Sequence, residues 1–386
     1  MPVLNRIAAY AEDMTAWRRH LHAHPELAFD CHGTSDWIAA RLAEIGVDAV
    51  HRGIAKTGIV AVIKGRADGP VVGLRADMDA LPITEETGKP YASTVPGKMH
   101  ACGHDGHVTM LLGAAKYLAE TRNFAGTVAL IFQPAEEDGG GAQVMVQEGV
   151  MERFAIREVY ALHNLPNLAA GQFETVPGPI MAAVDTAFVH VTGKGGHGAL
   201  PHECVDPVVA IVAMVQAVQT IVTRNVHALH EVVVSVTQIH TGSASNIIPE
   251  TGWFCATIRS FDAETRATLK RRFHEVVEGT AAAFGVTARV EYDWGYPPTV
   301  NEAGRTAFAA EVAREIAGEA GVNAEGERSM GSEDFAYMLE KRPGAYLYVG
   351  TGPGEGLHHP GYDFNDEVAP VGASFFARVV ERALPV

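Results

Sequence analysis

The chain has 386 residues and a formal net charge of −16, with 30 Lys and Arg against 46 Asp and Glu. A single core seldom grows past ~250–300 residues, so two domains are expected. An acidic chain without a Lys/Arg block has nothing to neutralise phosphates, which argues against nucleic-acid binding.

The opening stretch, MPVLNRIAAYAEDM, shows no basic segment running into a long apolar one, so no secretory leader is expected. Residues 5–45 carry helical spacing: Ile7, Tyr10, Met14, Trp17 and Leu21, then Ile38, Leu42 and Ile45. His24-Pro25 divides the two helices, because the residue before proline avoids the α region. Thr34 or Ser35 is placed to cap the second. Apolar runs at 58–65, 70–81 and 126–137 read as strands, with a helical stretch at 107–120 between the last two. Strands alternating with helices predict an α/β domain with a largely parallel sheet. Continuous runs such as VALIF suit strands buried on both faces.

From 186 the pattern changes. A strand (TAFVHVTG), an amphipathic helix at 205–224, alternating strands at 231–242 and 252–261, a helix at 262–284 and a strand at 286–294 follow in turn. This β-α-β-β-α-β order is the ferredoxin-like pattern and predicts an inserted α+β domain over 186–294. Its longest apolar stretch, 208–222, contains Gln216, Gln219 and Thr220 and falls short of the ~20 residues that span a bilayer, so no membrane partner is expected. Beyond Pro297-Pro298 come a helix at 303–320, a strand AYLYVG, a Gly/Pro-rich loop and a helix near 371–384.

Four cysteines (Cys31, Cys102, Cys204, Cys255) are spread too widely for a disulfide framework and fit a reducing, cytoplasmic setting. The 18 histidines are the compositional oddity. In His100-Ala-Cys102-Gly-His104-Asp-Gly-His107, a thiol and an imidazole two residues apart can reach one metal ion, since the glycine lets the backbone fold tightly. Glu136 and Glu137 directly follow the strand VALIF, and ligands bind beyond the carboxyl ends of such strands. One of them can bind metal while its neighbour carries a proton. His163 ends another strand-like run, and His358-His359-Pro360 lies in a loop. Alone, each is more often a structural residue. Jointly, Cys102, His104, Glu137, His163 and His358 with Glu136 to spare form the complement of a two-metal hydrolase. In the inserted domain, His197 in a glycine-rich turn suits polarising a carbonyl, Asn246 lies near an apolar strand, and Arg259 suits a carboxylate.

Nine stretches carry a resemblance across nearly the whole chain: RRHLHAHPEL, GLRADMDALPI, GKMHACGHDGH, IFQPAEE, HNLP, GKGGHGALPH, SASNIIPE, GSEDFAYM and LHHPGYDFNDE. They resemble the aminoacylase/carboxypeptidase family of dinuclear metallohydrolases (peptidase family M20), in its hippurate hydrolase and N-acyl-amino-acid amidohydrolase branch. The resemblance implies a zinc-exopeptidase-like α/β domain, 1–185 and 295–386, with a mixed, largely parallel sheet and helices on both faces. It is interrupted by the ferredoxin-like domain acting as lid and dimerisation module, which implies a homodimer or higher homo-oligomer. It selects His358 over His359 and implies that Cys102, His104, Glu137, His163 and His358 hold two divalent ions (Mn, Zn, Ni or Co). Glu136 is then the general base and acid, Asp79 orients a ligand, and His197, Asn246 and Arg259 reach the substrate. Departures fall at Asp30-Cys31, Asp138 and Gly198, none of them a proposed ligand. The implied reaction is hydrolysis of small N-acyl amino acids such as hippurate. A dipeptidase, a diaminopimelate-type deacetylase or an auxin-conjugate hydrolase is the alternative on the same site. A non-catalytic metal-binding relative is disfavoured by the intact set of six residues.

Overall fold

The computed structural model describes residues 3–386; Met1 and Pro2, where the stretch read for a leader begins, lie outside the described residues. Two compact units are found. Met181–Thr299 and Arg328–Glu333 form the second, and the rest of the described chain forms the first.

The first unit is built on an eight-stranded sheet. Its strands include β1 (Ala49–Ile54), β2 (Gly58–Lys64), β3 (Val71–Asp77), β4 (Thr127–Gln133) and β5 (Ile156–Pro166). The order is β1-β2-β4-β3-β5, then Gly344–Gly352, Phe173–Glu174 and Val322–Asn323. The four central strands, from β4 to Gly344–Gly352, run parallel. β1 and β2 add an antiparallel edge. Every residue of Gly344–Gly352 is buried, and β4 is buried except at Thr127. Layers on both faces explain why these strands read as unbroken apolar runs. The helix His104–Thr121 lies against Ala11–Ala23 and Ala369–Ala383. At the last crossing a Cβ on Gly372 would meet Met110 Sδ at 2.0 Å, so any larger residue there requires the Met110 side chain to move aside.

Two local expectations need correction. Thr34 and Ser35 lie inside the helix His32–Ile45 and do not cap it. The Glu26 carboxylate does so from the preceding segment, accepting from Gly33 N at 3.0 Å and Thr34 N at 2.7 Å. β1 gave no sequence signal because it is an edge strand with mostly half-exposed or exposed residues and no alternation.

The second unit is a four-stranded antiparallel sheet in the order Val232–Thr241, Thr251–Ser260, Ala183–Thr192, Thr287–Trp294. The helices Pro207–Arg224 and Ala263–Phe284 complete the ferredoxin-like arrangement. Asp206 and Asp262 cap them by accepting from Val208 N and Thr265 N, both at 2.8 Å. By length and composition Pro207–Arg224 is sufficient to cross a membrane, which the estimate from 208–222 missed. Its buried residues Ala210, Ile211, Met214, Val218 and Ile221 instead form one stripe at helical spacing on this unit's own core.

Candidate metal centre

Three segments of the first unit end at one place. The loop before His104–Thr121 brings Cys102 and His104. The turn after β4 brings Glu136 and Glu137, and β5 brings His163. Gly103 sits at φ +89, where a Cβ would also lie 2.2 Å from Asn164 Oδ1, so the turn between thiol and imidazole requires glycine. Ala135 at φ +58 turns the chain sharply ahead of the two glutamates. His358 comes from the irregular stretch after Gly344–Gly352, at φ +63, with its backbone N donating to Ala101 O at 2.8 Å.

The donor atoms fall into overlapping groups, each within 4.8 Å: Cys102, His104 and His163; Cys102, Glu137 and His358; His104, Glu136 and Glu137. All six donors singled out from the sequence are thus brought together. Cys102 Sγ is 3.4 Å from His163 Nε2, and Glu137 Oε1 is 3.3 Å from His358 Nε2. The tautomers are set by what each Nδ1 meets. His104 Nδ1 donates to Asp79 O at 2.9 Å and His163 Nδ1 to Asn164 O at 2.7 Å, which leaves each Nε2 facing the cluster, able to bind a cation once any proton it carries is displaced.

The electrostatics fit cations. Among the described residues, His104 Nε2 and Glu137 Oε1 are buried without a hydrogen-bond partner. Burial, reinforced by Glu137, Glu136 and Asp77, pushes the Cys102 thiol well above its usual range. Burial alone would lower His104, but Asp77, Asp79 and Glu137 outweigh it and raise it to about 10. Burial and the neighbouring His107 hold His163 well below its usual value. A buried set of carboxylates, imidazoles and one thiol, with orphaned donor atoms, matches divalent first-row ions, and coordination deprotonates a thiol outright.

Asp79 acts differently from a simple imidazole partner. Its backbone oxygen accepts a hydrogen bond from His104 Nδ1, while its carboxylate accepts from Glu136 N at 3.0 Å and Glu137 N at 3.1 Å. Sequence reasoning missed the layer beneath. His107 sits between Asp77 Oδ1 (2.5 Å) and Asn164 Oδ1 (2.6 Å). Arg75, fully buried, donates to Gln133, Asp77 and Asp334 at 2.8–3.0 Å. The spacing of His104 and His107, three apart on one helix face, was the available signal.

The remaining predicted residues lie in the second unit. His197 is exposed in a two-residue ribbon paired with Ile247–Ile248. Its Nδ1 accepts from Ala199 N at 3.0 Å, which leaves Nε2–H as a donor. Asn246 is its neighbour, accepting from Gly198 N at 2.8 Å through its backbone oxygen. Arg259 is half-buried on Thr251–Ser260 and donates to Ser332 Oγ at 3.2 Å.

Comparison with known proteins gives a consistent picture. The model of peptidase family M20/M25/M40 matches residues 73–382. N-acetyl-L-cysteine deacetylase of Bacillus subtilis is 42% identical over 361 residues, covering 93% of this chain and 85% of that protein. Hippurate hydrolase of Campylobacter jejuni is 39% identical over 367 residues, 95% of each. The crystal structure of a Bacillus subtilis dinuclear metal binding peptidase from the M20 family is similar at a TM-score of 0.86 and 35% identity, over 98% of this chain and 99% of that one.

Proposed function

Since this chain belongs to peptidase family M20/M25/M40 and is a metal-dependent amide hydrolase, we propose that its substrates are N-acyl amino acids, cleaved to a carboxylic acid and a free amino acid. The observation that carries this reading is the gathering of five donors into overlapping groups, His358 from an exposed loop and the others buried or half-buried, with Glu136 beside them. Cys102, His104, Glu137, His163 and His358 would hold two divalent ions. Those ions, when bound, supply Lewis acidity toward water and the amide carbonyl. The donor set itself accepts Mn, Zn, Ni or Co.

Glu136 takes a proton from the attacking water, whose oxygen adds to the carbonyl carbon. His197 Nε2–H donates to the oxyanion that develops. The C–N bond then breaks as Glu136 returns the proton to the departing nitrogen. Arg259 and Asn246 hold the α-carboxylate of the amino acid. The relatives support the substrate class, as one is a deacetylase of N-acetyl-L-cysteine and another a hydrolase of hippurate. The proposal includes a cytoplasmic homodimer joined through the inserted domain, where Phe188 and Ile239 leave apolar surface exposed. Sedimentation of the purified protein tests that part.

The test of mechanism is a panel of N-acetyl, N-benzoyl and indoleacetyl amino acids, assayed with each metal. Glu136→Gln is expected to bind metal normally and to lose about 10²–10⁴-fold in turnover on the best substrate. Retained turnover overturns the role of Glu136. No cleavage of any panel member by the wild type overturns the substrate class.

A further inference from the structure

One buried cation has no part in the reaction above. Arg18, in the helix Ala11–Ala23, is wholly buried. Its Nε donates to Asp366 Oδ1 at 2.5 Å and its Nη1 to Asp363 Oδ1 at 3.1 Å. Nη1 also lies 3.7 Å from Asp105 Oδ2. The guanidinium stacks 4.5 Å over the ring of Tyr91, whose hydroxyl donates to Asp363 Oδ2 at 2.7 Å. One planar fork thus joins the helix to the stretch that carries His358.

That stretch depends on outside support. Residues 353–365 are irregular, His358 is in a left-handed conformation that side chains disfavour, and its ring is 53% exposed. Backbone bonds from His358 N to Ala101 O and from Glu86 N to Pro360 O, both 2.8 Å, hold it. The Asn164 amide donates to the Tyr362 hydroxyl at 2.8 Å, and Arg19 Nε and Lys89 Nζ reach Asp366 and Asp363 at 2.9 and 3.2 Å from the surface, where water screens them. Asp105, beside His104, is less dependent on Arg18. It accepts from His22 at 2.7 Å and from Gly106 N at 2.9 Å, and lies in the first turn of an 18-residue helix.

We propose that Arg18 is a positioning residue of the metal centre: by clamping Asp363 and Asp366 it fixes the stretch that aims His358 at Cys102 and Glu137, and so sets the affinity of that donor group while leaving the group of Cys102, His104 and His163 unaffected. The inference rests on reading His358 as a ligand. Lysine cannot reproduce the clamp, because a compact ammonium on a flexible stem lacks the rigid planar spread of donors that reaches two separate carboxylates while lying over a ring.

The experiment is a calorimetric titration of metal-free protein with Zn²⁺, with chelator competition where binding is tight. Wild type is expected to take up two ions in separable steps, and His358→Ala to weaken one of them. Arg18→Met is expected to weaken that same step about 10- to 100-fold and to leave the other within about threefold. The double variant Arg18→Met/His358→Ala is expected to bind no more weakly than His358→Ala, because both changes remove one device. Arg18→Lys falls between wild type and Arg18→Met. Unchanged binding in Arg18→Met, equal weakening of both steps, or additive losses in the double variant each overturn the proposal. If His358→Ala weakens neither step, the ligand reading itself fails and the inference falls with it. Should Arg18→Met not fold, Asp363→Asn removes one anchor of the stretch. It is expected to weaken the same step about three- to tenfold, and the absence of that step-specific loss overturns the proposal.

Discussion

Asp79 acts on three neighbours, through its backbone carbonyl on one and its carboxylate on two. Its carbonyl fixes the tautomer of His104, and its carboxylate holds the amides of Glu136 and Glu137 just after the strained Ala135. Burial raises its carboxyl above the usual range, and the bonds from His104 and the Glu136 amide only partly counter this. Asp79→Ala frees both glutamates at once and leaves two buried amides without acceptors. Turnover is expected to fall about 10- to 100-fold with weaker metal binding, whereas Asp79→Asn, which keeps one acceptor oxygen, loses less. Wild-type kinetics in Asp79→Ala would show that the turn is held by something else. The importance of Asp79 was legible from the motif around it. Its mode of action was not, because two of its three bonds reach residues 57 and 58 positions away.

At the scale of elements, the start of the helix His104–Thr121 is tied to Ala11–Ala23 by a buried pair. His22 Nδ1 donates to Asp105 Oδ2 at 2.7 Å, and its Nε2 lies 3.2 Å from Glu85 Oε1. Burial alone would lower His22, but the bonds to Asp105 and Glu85 outweigh it and raise it to about 9 from 6.5. The same pairing holds the Asp105 carboxyl below its usual range, against the effect of burial. A raised histidine contributes stability that is complete below pH ~6.5 and lost as pH climbs through ~9, on the order of 3 kcal/mol for such a shift. The carboxylate's contribution is lost in the other direction, in acid. Urea unfolding of wild type should therefore show stability falling between pH 7 and about 9.5. His22→Gln should be less stable at pH 7 and show a shallower fall, and parallel pH curves for the two would refute the pairing. Apolar periodicity revealed these helices, because it reports one buried face. It could not reveal that Glu26 caps His32–Ile45 or that β1 exists, since a distant cap and an exposed edge strand leave no local pattern.

Across the whole molecule, the donors come from positions 102 to 358, with Met181–Thr299 intervening in the chain as part of a second unit. Any ion binding them binds the folded first unit alone and stabilises it by mass action. At a free ion concentration of 100 times Kd the gain is about 2.7 kcal/mol. Stripping with a chelator is expected to lower the melting temperature by roughly 5–10 °C, and added Zn²⁺ or Mn²⁺ to restore it. Identical melting with and without chelator would separate the donor cluster from folding. The α/β and ferredoxin-like patterns and the six converging residues could be read before any coordinates, since periodicity and motifs are local. The strand order, and the layer of Asp77, His107 and Arg75 beneath the site, could not, because each is fixed by contacts between segments far apart in the chain.

The wide separation of the donors also has a consequence in time. Roughly 250 residues lie between Cys102 and His358. At about 5–20 residues per second, the ribosome needs on the order of 10–50 s to add the last donor after the first. Throughout that interval Cys102 is on a nascent chain that lacks the final member of its donor set. The complete donor set can therefore form only after synthesis has passed His358, so loading of both ions follows, and cannot precede, completion of nearly the whole chain.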